Sequence, residues 1–134
     1  MGGAFPAFDL DLQFGQTGEA FVEDLVRDTL HGKVEVKTDR RWQDTGNLFI
    51  ETECWSIRQQ CFVPSGVNTS ESDFYAFVLP VGDRTPMMAY FPTRLVKKVV
   101  EEVGRPIEQN WSENPSKGYL ITLEDIYSYA RSVR

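Results

Sequence analysis

The sequence predicts an α/β fold: helices packed on a central mixed sheet. Three observations predict it. Two segments repeat apolar residues at the 3.6-residue helical period: Phe21, Val22, Leu25, Val26 and Leu30 in the first, Leu95, Val96, Val99, Val100 and Val103 in the second. Between them, Lys33 to Asp39 and Asn47 to Cys54 alternate as strands do. Asp73 to Pro80 is almost continuously apolar and aromatic, as in a central strand covered on both faces.

Phe5 to Phe14 reads as an irregular or short extended lead-in. Thr17-Gly18-Glu19 then opens a helix to about Leu30, which His31-Gly32 stops. Glu19 lies one turn before Val22 and so borders the apolar stripe, within reach of a sheet packed beneath the helix. The strand Lys33 to Asp39 is followed by Arg40 to Gly46, a hairpin-length loop carrying Trp42, and by the strand Asn47 to Cys54. A symmetric closure of that loop would set Asp39 opposite Asn47 and Glu35 opposite Glu51. Pro64 to Ser72 is rich in turn formers and reads as loop, as does the Met87-Met88 region. The helix from about Thr93 to Val103 ends at Gly104 and Pro106. Tyr119 to Ile121 adds a short strand, and Thr122-Leu123-Glu124-Asp125 caps a last helix that ends near Ala130.

At 134 residues the chain is expected to form one domain over 1–134. With 41% hydrophobic and 25% charged residues it falls among globular proteins and outside the disordered class. No apolar run approaches the eighteen or so residues of a bilayer span, and Met1 to Leu12 lacks the basic start of a secretion signal. Cys54 and Cys61 show no metal-binding or redox spacing, so free thiols in a reducing cytoplasm are expected. A net charge of −6 argues against a protein that coats nucleic acid indiscriminately. It leaves room for a nuclease, because Lys33, Lys37, Arg40 and Arg41 form a local basic rim.

The chemistry concentrates on one strand. Alternate side chains of an extended backbone share a face, so Glu35, Lys37 and Asp39 point one way and Val34, Val36 and Thr38 the other. Two carboxylates and an ammonium on one surface are costly to half-bury unless they are paired, yet they suit divalent-metal phosphodiester chemistry. A plainer reading stands beside each residue. Lys37 could be a solvated strand lysine paired with Glu35 or Glu51, Glu19 a first-turn glutamate favoured by the helix dipole, and Asp39 the start of a loop. Trp42 either stacks on an unpaired base, with Arg40 and Arg41 holding phosphate, or plugs the hairpin.

The order of elements, with Glu19 on a helix and Glu35-Val36-Lys37 on a strand, resembles the PD-(D/E)XK nuclease superfamily, whose core is an αβββαβ layer. The resemblance narrows to small phage-type members similar to Holliday junction resolvases. It is carried by Glu35-Val36-Lys37-Thr38-Asp39, Thr45-Gly46-Asn47-Leu48-Phe49-Ile50-Glu51, Ser65-Gly66 and Asp73-Phe74-Tyr75. It implies a restriction-endonuclease-like core and a Mg²⁺- or Mn²⁺-dependent deoxyribonuclease. Glu19, Glu35 and Lys37 would be catalytic, with Glu35, Asp39 and Glu51 on the metal and Arg40, Arg41 and Trp42 on DNA. One departure is visible. The superfamily places an aspartate on a strand before the E-x-K strand, whereas only His31-Gly32 separate the first helix from Lys33 here. The missing acid then comes from Asp39, Glu51 or Asp73, or the site is rearranged.

The expected partner is DNA, branched or a recombination intermediate, met by a homodimer in a cytoplasm, that of the host if the chain is phage-encoded; no membrane partner is expected. The rival expectations are a nuclease-fold module that no longer cuts and serves DNA or protein binding, and a phosphodiesterase acting on RNA or nucleotides.

Overall fold

The computed structural model describes residues 6–110 and 113–133. The chain divides into two compact units, Met1–Lys33 and Val34–Arg134. The first holds one long helix, α1 (Pro6–Leu30). It starts well before Thr17, so 6–14 is helical where an extended lead-in was expected; Phe5 lies outside the described residues. Proline is tolerated at a helix start because it lacks only an N–H that would be unbonded there. At Gly15 and Gly18 an added Cβ would meet nothing within 4 Å. The helix stops as its sequence predicts: Gly32 adopts φ 74°, and the Lys33 N–H donates to Asp28 O at 2.9 Å. The stripe at Phe21, Val22, Val26 and Leu30 is exposed, not buried.

The second unit is mixed α/β, as the sequence predicts. It has β1 (Val34–Thr38), α2 (Trp42–Thr45), β2 (Asn47–Ser56), β3 (Cys61–Pro64), a 3₁₀ turn at Gly66–Asn68, β4 (Phe74–Val81), β5 (Arg84–Pro92), α3 (Thr93–Val103), β6 (Arg105–Gln109), β7 (Ser116–Thr122) and α4 (Leu123–Ser132). A mixed sheet runs β1-β4-β5, with β1 parallel to β4, and an antiparallel sheet runs β3-β2-β7-β6. The inner faces share one core: Tyr75, Phe77 and Leu79 on β4, Ala89 and Phe91 on β5, Leu48 and Ile50 on β2, and Ile121 on β7. Val96 and Val99 of α3 and Ile126 of α4 complete it. Helix α3 has the bounds its period predicts, and α4 carries the expected capping box, with the Thr122 hydroxyl accepting from the Asp125 N–H and the Asp125 carboxylate from the Thr122 N–H.

The expected hairpin between the first two strands does not form. β1 pairs with β4, setting Glu35 opposite Tyr75 and Lys37 opposite Phe77, while β2 pairs with β3 and β7 in the other sheet. Glu35 therefore does not face Glu51 across a ladder, nor Asp39 Asn47. The Arg40 to Gly46 connection contains α2, which ends at Gly46 with φ 73° and its N–H on Trp42 O at 2.7 Å. Met87 and Met88 lie in β5, not in a loop.

The Ser65-Gly66 turn is pressed against β2. A Cβ on Gly66 would stand 2.2 Å from Glu51 O, and φ there is +56°. The Ser65 N–H donates to Thr52 O at 2.9 Å, and buried Val67 enters the core beside it. Gly66→Ala faces both a backbone clash and left-handed strain of about 1–2 kcal/mol. We expect it to destabilise the chain by about 2 kcal/mol or more in urea unfolding, whereas Gly15→Ala, in open space on a helix, should be neutral or stabilising by a few tenths of a kcal/mol.

Candidate active site

Glu35 and Lys37 project from the open edge of the mixed sheet on the face that β4 turns toward the core, because parallel partners share a face and Tyr75 and Phe77 are buried there. The Lys37 ammonium contacts Glu35 Oε1 at 2.9 Å, with the two side chains 48% and 39% exposed. Hydrogen bonding to Glu35 raises the Lys37 pKa above 10.5. Partial burial works against that, and the charges of Glu35, Tyr75 and Glu51 work with it. Tyr75, 2% exposed, is raised above 10.0, first by burial. Glu35 and Glu51 push it further up, while Ser70 and Lys37 pull it back. The Ser70 hydroxyl lies beside the phenol and bonds Ser72 Oγ at 2.7 Å, while the phenol oxygen makes no hydrogen bond of acceptable geometry.

Glu51 stands on a strand of the other sheet, and its charge is the smallest of the influences that raise Lys37 and Tyr75. Glu51 Oε2 accepts from the Ser65 hydroxyl at 3.0 Å, the contact that the close approach of Gly66 makes available. A β-bulge between Glu51 and Glu53 shifts the register with β7 at this point, a device that often re-aims side chains near sites.

Asp39 does something else. Its Oδ1 accepts from the N–H groups of Arg41 (3.2 Å) and Trp42 (3.1 Å), and its Oδ2 from the Phe49 N–H at 3.0 Å. The carboxylate thus holds the start of α2 and ties the end of β1 to β2, a structural use of both oxygens. Trp42 is half-buried and packed against the core, the plug rather than the open stacking platform. Arg40 and Arg41 are exposed. Glu19 is exposed on α1, in the other unit.

No family model, curated protein or solved structure matches this chain. Among the described residues, no helix is long and apolar enough to cross a membrane, and Cys54 and Cys61 are free thiols.

The expected ligand set is present only in part. Among the described residues no group of three or more Asp, Glu, His or Cys side chains is placed to hold a metal ion. Mg²⁺, however, is commonly held by one or two carboxylates, with water and substrate phosphate completing its shell. Glu35 uses Oε1 on Lys37 and Glu51 uses Oε2 on Ser65, which leaves each with an oxygen to offer. The Tyr75 hydroxyl is a buried polar atom still lacking a partner in the same place. Asp39 fits poorly as a ligand for the reason given. Tyr75, Ser65 and Ser70 carried no assigned role in the sequence. The available signal was a tyrosine within an apolar strand, whose buried hydroxyl must be accounted for.

Two outcomes follow. Asp39→Ala leaves three backbone N–H groups without their acceptor and should cost about 1–3 kcal/mol in the metal-free protein, whereas Glu51→Gln should cost far less; equal losses in urea unfolding would contradict these roles. A raised lysine pKa stabilises fully below the unfolded value and is lost as pH rises through the folded one. The stability difference between wild type and Lys37→Met, at most about 1 kcal/mol for so exposed a pair, should therefore hold constant up to about the reference value of 10.5 and shrink only above it.

Proposed function

We propose that the chain is a metal-dependent DNA endonuclease that hydrolyses phosphodiester bonds, acting on branched or recombination-intermediate DNA such as Holliday junctions. The observation that carries the reading is the Glu35–Lys37 pair opposite buried Tyr75, with the charge of Glu51 acting on Lys37 and Tyr75 from the other sheet and one oxygen of each carboxylate left without a protein partner. The branched substrate rests on the resemblance to junction-resolving nucleases alone. A junction presents two symmetric strands to cut, so a homodimer with two sites is part of the proposal.

Lys37 is suited to donate rather than to accept. Its amine is held protonated by Glu35, so it would stabilise charge developing on the phosphate or orient the attacking water, and would not serve as the general base. Tyr75, with a raised pKa, likewise remains a phenol and a donor. Glu35 and Glu51 would hold Mg²⁺ or Mn²⁺, which when bound polarises the phosphate and lowers the pKa of its water. Ser65 would keep Glu51 in place.

A second reading, a nuclease-fold module that binds but does not cut, is favoured by Asp39, whose two oxygens are committed to backbone N–H groups.

Incubated with labelled junction, flap and linear duplex DNA in Mg²⁺ or Mn²⁺, the wild type should cut, and Lys37→Ala should cut at least about a hundredfold more slowly; equal rates would remove the mechanism. Mn²⁺ should also raise the melting temperature of the wild type, and less so in Glu35→Gln or Glu51→Gln. An unchanged melting temperature in a protein that does not cut would favour the inert module.

A further inference from the structure

Beyond the reacting group lies a separate hollow of about 420 Å³, walled by the end of β1, α2 and the start of β2, with β6 and β7 on its far side. Phe49, Ile107 and Leu120 supply its apolar surface. Gly118 leaves room for the Phe49 ring, since a Cβ there would stand 2.7 Å from Phe49 Cε2.

Arg40 and Arg41 line the hollow, and among the described residues neither guanidinium has an ion-pair partner. The one acid in the wall, Asp39, is occupied by backbone N–H groups. Arg105 reaches the same rim by donating to Asn47 Oδ1 at 2.6 Å, which leaves the Asn47 amide N–H groups to donate. Gln109 adds a second amide.

We propose that this hollow binds one unpaired nucleotide of a DNA strand. Its base would lie on Phe49 with its polar edge toward Asn47 and Gln109, and the flanking phosphates would meet Arg40 and Arg41. The chemistry is complementary at each point. An aromatic face takes the π surface of any base, amides pair with base edges, and uncompensated arginines take phosphate. The volume lies within the range of small-molecule sites. Asp39 continues the ladder of β1, its N–H donating to Val78 O at 3.0 Å, so the wall begins at Thr38, the residue after Lys37, and Asp39 stands two residues, about 7 Å, along the strand from it. A strand end or unpaired base held here would lie next to the proposed cutting site. The choice of DNA as ligand rests on the nuclease reading above; the hollow and its charges do not.

The test is fluorescence anisotropy with a short fluorescein-labelled oligothymidylate in EDTA, where nothing is cut. Wild type should prefer this strand to a blunt duplex of equal length. Phe49→Leu, which keeps an apolar side chain and the backbone bond to Asp39, should weaken the strand about tenfold and leave the duplex unchanged. Arg40→Gln with Arg41→Gln should flatten the dependence of log affinity on log salt by about 1.4, two contacts at about 0.7 each. Unaltered binding by Phe49→Leu at an unchanged melting temperature, or equal losses for strand and duplex, overturns the pocket even if wild type cuts DNA. Competition by free thymidine monophosphate at the strand's own affinity overturns the strand as its occupant. Failure of the cutting assay with these binding differences intact would instead remove the nuclease and keep the pocket.

Discussion

The carboxylate of Asp39 carries the junction on which the second unit depends. At Thr38 the chain leaves the mixed sheet, and at Asn47 it enters the antiparallel one. A chain turning between two sheets leaves backbone N–H groups that no ladder can satisfy, each costly if buried unbonded. Asp39 takes three of them at once, two at the start of α2 and one in β2. Bonds from a carboxylate to backbone N–H groups are among the stronger ones in proteins. With that clamp in place, Ile50 of β2 packs in the same core as Tyr75 and Phe77 of β4. Glu51, the next residue after Ile50, accepts from the Ser65 hydroxyl, and its charge acts on Lys37 and Tyr75.

Glu35 and Glu51 stand on strands of different sheets, so they avoid the repulsion of like charges placed directly opposite on a ladder. Glu35 holds Lys37 charged, and Glu51 adds a smaller influence in the same direction. The group has one net positive and two net negative side chains before any ligand arrives, a balance suited to a cation and a phosphate that bring opposite charges together. The serine and the glycine of the Ser65-Gly66 turn act together: only a residue without a Cβ lets the turn approach Glu51 closely enough for Ser65 to bond its carboxylate.

Much of this architecture was legible in the sequence, and what was not shares a physical cause. The α3 bounds, the cap of α4, the central strand β4 and the strand bearing Glu35 and Lys37 follow from periodicity and capping chemistry, which are local. The strands that escaped, β3, β5 and β6, are all sheet edges, and each contains proline: Pro64, Pro86 and Pro92, and Pro106. Edge strands carry proline and charge because their outer backbone groups need no partner, and those residues read locally as loop. The partner of β1 was also hidden. A short connection invites a hairpin, but the choice of β4 is made by a contact far along the chain. The charge of Glu51 acts on Lys37 from a strand of the other sheet, a relation that no local pattern displays. The buried phenol of Tyr75 was hidden for the same reason, since only the parallel register sets it opposite Glu35.

A net charge of −6 is reconciled with a DNA-directed reading by where the charges are compensated. Cations on three helices are paired: Arg27 with Asp24 on α1, Lys98 with Glu101 on α3, and Arg131 with Glu124 on α4. Such exposed pairs add little stability, yet they cancel each other's field at a distance. Around the hollow at the end of β1 the arginines have no such partner among the described residues, so their potential extends into solvent. What a phosphate chain meets is this local field, within about a Debye length of 8–10 Å, and not the sum over the molecule. Under the proposed reading, a protein so arranged would resist indiscriminate coating of duplex through its overall repulsion, while one rim would attract a strand whose base has somewhere to go. Selectivity for unpaired DNA would then arise from the combination, with repulsion setting a weak background and the apolar floor under Arg40 and Arg41 rewarding only a base free to leave its stack.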